Sequence, residues 1–142
     1  MDKKKELASK LRTSGLRPTK QRIKLAEFLF NREKTFHFTV ENLDKAINKK
    51  SSDDKIALAT IYNTVHAFKK AGHLKEILIK EGKNYFDTNT SSHHHFYDEV
   101  NNELTDIENN KIELKKFPNP PKGKSIKDVN VIINIDNDNQ KH

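Results

Sequence analysis

The stretch SSHHHFYDEVNNELTD, residues 91–106, sets three adjacent imidazoles ahead of a run of carboxylates and amides. It is internal and short, unlike a terminal affinity tag, so it belongs to the protein's own chemistry. The chain contains no cysteine. That excludes disulfides, thiolate zinc sites and cysteine nucleophiles together, and leaves His, Asp and Glu as the side-chain metal ligands. On an extended strand alternate residues face one way, so His93 and His95 share a side that His94 does not. Any metal held here takes nitrogen and oxygen donors only.

The elements that must position these residues are legible in the apolar spacing. KKKELASKLRT, residues 3–13, reads as a short basic helix with Leu7 and Leu11 one turn apart and Gly15 as its stop. In LRPTKQRIKLAEFLFN, Pro18 precedes a Thr19 N-cap, and Ile23, Leu25, Ala26, Leu29 and Phe30 form the buried stripe. TVENLDKAINKK starts a third helix at Thr39, with Val40, Leu43, Ala46 and Ile47 on one face. ALATIYNTVHAFKKAGH is the fourth. Leu58, Ile61, Val65 and Phe68 make its buried stripe, Gly72 ends it, and Tyr62, Asn63, His66 and Lys69 lie off the stripe. LKEILIKEGKNYFD then reads as two strands around a turn at Glu81-Gly82-Lys83.

Past residue 90 the texture changes. FYDEV and ELTDI flank a tight turn at Asn101-Asn102, FPNPPKGKS breaks any helix begun at KIELKK, and DVNVIINI is the most β-branched segment. The tail DNDNQKH reads as frayed. The expected fold class is α+β: a winged helix-turn-helix DNA-binding domain over residues 1–88, then a small α/β dimerisation and sensing domain over 89–142. Some fifty β-rich residues bury little core alone, which favours completion against a second copy.

The net charge of +7 is unevenly placed: residues 1–89 hold 20 Lys/Arg against 11 Asp/Glu, and residues 90–142 hold 7 against 9. A basic first part fits a polyanion partner. Helix-turn-helix proteins lay the start of the second helix in the major groove, which is where Tyr62 and Asn63 fall. Asn pairs bidentately with adenine and Tyr reaches a thymine methyl or a phosphate, while Lys20, Arg22, Lys69, Lys70 and Lys83 are placed for phosphates. No HExxH motif or glycine-rich phosphate loop is present, so a metal-dependent hydrolase has no support beyond the ligands themselves. No apolar run approaches the twenty residues of a membrane span and no signal-like start is seen, so the expectation is a soluble cytoplasmic protein with no membrane partner.

LRPTKQR, ALATIYNTVHAFKKAGHL and YFDTNTSSHHHF together resemble the ferric uptake regulator (Fur) superfamily, in its order and spacing, over roughly residues 10–135. The resemblance implies a homodimer that binds inverted repeats in promoter DNA under control of a metal, peroxide or haem. It also implies a regulatory metal site whose ligand positions are occupied here by His37, Asp87, His93, His95 and Asp106. Three imidazoles and two carboxylates suit Fe(II), Mn(II) or Zn(II).

Family members with structural zinc carry two CxxC pairs. The first falls here at Asp98 and Asn101 and the second is absent, so no structural zinc held by four cysteines is expected. The hydrophilic turn, HHHF and FPNPP most resemble the iron response regulator branch, Irr, in which the His triplet is implicated in haem binding. That likeness makes His93, His94 and His95 haem candidates through imidazole ligation. It implies a regulator that holds DNA when iron and haem are low and releases it on binding haem. The alternative is a repressor of Fur or manganese-regulator type, activated by Fe(II) or Mn(II) at the His/Asp site.

Overall fold

The computed structural model describes residues 2–49, 54–80 and 82–138. Glu81 of the expected turn, Lys50 and the last four residues of the tail lie outside them. The chain divides into two compact units, residues 1–90 and 91–142.

The first unit opens with α1 (Lys3–Thr13), capped by Asp2 and buried through Leu7 and Leu11. Helix α2 (Lys20–Phe30) starts at Thr19, whose side chain accepts from the Arg22 amide, and buries Leu25, Ala26 and Leu29. Helix α3 (Val40–Ile47) begins with a capping box: Thr39 and Asn42 each accept from the other's backbone N–H. Helix α4 (Leu58–Lys70) has Ala57 at its N-cap and no side-chain cap bond. At its other end Gly72 sits at φ 89°, with His73 N donating to Phe68 O and Gly72 N to Lys69 O, the pairing of a Schellman stop. Leu58 departs from the expected stripe. It is 53% exposed on the first helical turn, and Thr64 is buried with Ile61, Val65 and Phe68.

A three-stranded antiparallel sheet completes this unit in the order β1 (His37–Phe38), β3 (Lys83–Asp87), β2 (Lys75–Lys80). Phe36, Phe38 and Phe86 stack in sequence, with centroids 5.6 and 5.8 Å apart, and the Arg32 guanidinium lies 3.9 Å over Phe36. The aromatic column buries Phe38 completely. By strand alternation it turns His37 to the opposite side.

The second unit is a sheet of order β5 (Glu103–Ile107), β4 (His94–Asp98), β6 (Ile132–Ile135), with β4 antiparallel to β5 and parallel to β6. Strand β4 stops two residues short of the expected FYDEV because Asp98 accepts from the amides of Val100 and Asn101 and from the Asn101 side chain. Those bonds, the Asn101 amide first, hold the Asp98 carboxyl below the usual carboxylate range. The expected helix content of this unit reduces, among the described residues, to the 3-10 turn Asn109–Lys111. Pro118, Pro120 and Pro121 follow it and supply no backbone donors. No helix among the described residues is long and apolar enough to cross a membrane.

His73 ties the end of α4 to the end of α1. The Ser14 hydroxyl donates to Leu11 O and receives the His73 Nε2–H at 2.7 Å. Burial, and then the charge of Lys10, lowers the His73 pKa. The folded state therefore binds protons less readily than the unfolded one. The contribution is fully present above about pH 6.5 and is lost as pH falls from there towards the lowered folded value. In urea titrations across pH 5–8, the wild type should lose more stability on acidification than His73→Asn.

Candidate metal centre and nucleic-acid interface

Each unit holds a His–carboxylate pair set across an antiparallel ladder. In the first unit His37 and Asp87 are register partners, with Nε2 to Oδ2 at 3.1 Å. Asp87 is fully buried, and its Oδ1 accepts the Asn89 amide at 2.9 Å. Thr88 secures the neighbouring rung through both its hydroxyl, which accepts from Phe36 N, and its amide, which donates to Phe36 O.

In the second unit His95 is the register partner of Asp106. His95 Nε2 lies 3.2 Å and His93 Nε2 3.1 Å from the same oxygen, Asp106 Oδ1. The two rings are 4.4 Å apart between centroids, and both residues are buried, at 2% and 6% exposure. His93 Nδ1 is 2.8 Å from Ser91 O. A carbonyl oxygen only accepts, so Nδ1 donates to Ser91, which leaves Nε2 either to donate to Asp106 or to share a cation with it. A fixed outer hydrogen bond is also how ligand histidines are oriented in metal sites. The donor set, imidazole and carboxylate without thiolate, fits a divalent first-row ion.

His94 faces away from this cluster, as alternation requires. Its Nδ1 accepts the Val131 amide at 3.0 Å, and His95 N donates to Val131 O. The residue thus anchors the approach to β6, a structural task that sequence spacing did not reveal.

The residues expected to meet DNA fall at several places on the first unit. Tyr62 is 54% exposed on the second turn of α4, with its ring 4.4 Å from that of His66, and Asn63 beside it is exposed. Lys20 is exposed at the start of α2. Arg22 donates to Arg17 O at 3.1 Å, and Lys83 opens β3. Lys69 stands in the last turn of α4, where Glu76 of β2 takes its ammonium. Sequence spacing also missed a groove of about 910 Å³ along α1, α2 and the residues leading into α4. Lys4, Lys5, Arg12, Lys20, Lys24 and Lys55 line it. The run of three lysines at residues 3–5 was the available signal.

Residues 13–134 match the ferric uptake regulator family, and the chain belongs to that family. It is 33% identical over 91 residues to the peroxide operon regulator of Bacillus subtilis, covering 64% of this chain and 60% of that protein. To the peroxide-responsive repressor PerR of Staphylococcus epidermidis it is 31% identical over 102 residues, covering 72% and 65%. The matches thus span less than two thirds of these relatives' length. Among solved structures, the Vibrio cholerae ferric uptake regulator is similar at TM-score 0.69 and 19% identity, covering 92% of this chain and 98% of that one. The Pseudomonas aeruginosa ferric uptake regulator with manganese is similar at 0.67 and 23%, covering 92% and 97%. At those identities the likeness is one of fold.

Asp106→Asn keeps the shape of the side chain but removes the charge that both imidazoles face. It should weaken Mn(II) binding, measured by titration calorimetry, by more than about tenfold, the lower end of what losing an outer-shell partner costs a metal site.

Proposed function

We propose that the protein is a homodimeric, metal-responsive transcription regulator. In this reading His37 and Asp87 of the first unit and His93, His95 and Asp106 of the second close on one Fe(II), Mn(II) or Zn(II) ion. The observation that carries it is the Asp106 oxygen shared by two buried imidazoles, one with its outer nitrogen already committed to Ser91. Ligands drawn from both units would fix the angle between them. In a dimer, that angle sets the separation of the two α4 helices and hence the spacing of half-sites they can meet.

The first unit serves as the winged helix. Tyr62 and Asn63 of α4 meet base edges in promoter DNA, while Lys20, Arg22 and Lys83 meet phosphates. Lys69 leaves that set because Glu76 already neutralises it. The basic groove beside α2 extends the phosphate-facing surface, and +9 on residues 1–89 supports a polyanion partner.

The finer assignment to the iron response regulator branch, with release on haem, has less behind it. The relatives named above are peroxide and iron regulators. His93 and His95 are buried against Asp106, and His94 is bonded to the β6 approach through one ring nitrogen. A divalent ion fits that arrangement without displacing either contact, which is the physical case for the metal-activated repressor as the second reading.

Fluorescence anisotropy on labelled promoter duplex separates these readings. Metal-activated control predicts weak binding by the chelated protein, tight binding with Mn(II), and no release by haem. Tight binding when chelated that haem abolishes would instead establish the iron-response mode. With metal present, raising salt from about 50 to 200 mM should weaken binding by orders of magnitude. Asn63→Ala should cost about 1–3 kcal/mol of base discrimination if the bidentate contact is made.

A further inference from the structure

From residue 112 to residue 131 the second unit has neither helix nor strand, and every residue from Glu113 to Asn130 is exposed. Irregular stretches beyond about 12–15 residues are uncommon in compact units, and ordering each residue costs backbone entropy. Both ends of this one are tied to the same small sheet. It begins after β5 and the 3-10 turn, and it ends where Val131 bonds to His94 and His95. Between those ends it stands off its own unit.

Its composition is not that of a free linker. Leu114, Phe117, Ile126 and Val129 are 42, 50, 47 and 38% exposed, large apolar groups at intervals along an extended chain. The charge is equally uneven. Residues 111–127 carry six lysines and a single acid, whereas residues 91–110, which contain the β4–β5 hairpin, carry five acids and no lysine or arginine. The hairpin tip also exposes Val100 at 49%. Surfaces complementary in charge, each with exposed apolar groups, lie on one chain without covering one another.

We propose that residues 113–129 form an arm that closes over the β4–β5 hairpin of a second copy of this chain, its lysines against the hairpin's carboxylates. This rests on the homodimer proposed above. At about 3.3 Å per residue the segment has a contour of roughly 55 Å, and, tied at both ends, it projects at most about half of that, still more than the length of a five-residue strand. Two reciprocal arms make a self-complementary, two-fold contact, and the apolar side chains give the small sheets the cover that a lean core denies them.

The test uses the native full-length chain. Unlabelled and ¹⁵N-labelled protein are refolded together and joined with a carbodiimide, which forms an amide between a lysine and a touching carboxylate, and the peptides are read by mass spectrometry. The expected result is isotope-mixed cross-links from Lys115, Lys116, Lys122 or Lys124 to Asp98, Glu99 or Glu103. A dimer by sedimentation with none of these, or with only same-isotope ones, overturns the arm and leaves the dimer intact. A monomer overturns both. Absent cross-links together with protection of the same lysines by duplex DNA would assign the arm to nucleic acid instead. As a second reading, reversing Lys115, Lys116, Lys122 and Lys124 to Glu should raise the dimer dissociation constant by at least about tenfold while leaving the monomer's circular dichroism unchanged; an unchanged constant also overturns the proposal.

Discussion

A carboxylate removed from water needs a partner, and Asp87 is fully buried at the end of β3. Its two oxygens are met by the His37 ring and the Asn89 amide. Much of the first unit's local design serves those bonds. The two-residue strand β1 holds His37 in register. The phenylalanine column and Arg32 hold β1 in place, and Thr88 locks the rung beside it. Leaving a buried carboxylate without a partner is costly, so the pairing constrains where the two-residue strand can lie.

The second unit uses the same device with one addition. His95 and Asp106 face each other across β4 and β5 as His37 and Asp87 do across β1 and β3. His93, placed just before β4 and turned by Ser91, directs a second imidazole onto the same oxygen. Cross-strand pairing fixes these groups more tightly than loops would, because ladder hydrogen bonds set the backbone spacing on both sides.

Much of this was written locally enough to be read. Thr19, Thr39 and Gly72 announce helix ends through their own hydrogen-bonding and conformational preferences, and strand alternation was sufficient to separate His93 and His95 from His94. What escaped needed partners distant in sequence. The exposure of Leu58 depends on what packs against the first turn of α4, the role of His94 depends on Val131 arriving alongside, and the engagement of Lys69 depends on Glu76 from the next strand. The groove beside α2 gathers residues from 4 to 56, which no local pattern joins. Of the proposed metal ligands, His93 and His95 were conspicuous within the His triplet, whereas Asp87 and Asp106 looked like ordinary acids until a resemblance singled them out.

Asp98 and Asn101, the positions where the resemblance implies a cysteine pair in relatives with structural zinc, close the β4–β5 hairpin through three hydrogen bonds. Oxygen and nitrogen there have no thiol to lose to an oxidant and no ion to surrender to a chelator. Among the described residues, the clasp that shapes the hairpin is built from groups that a change of redox conditions does not touch.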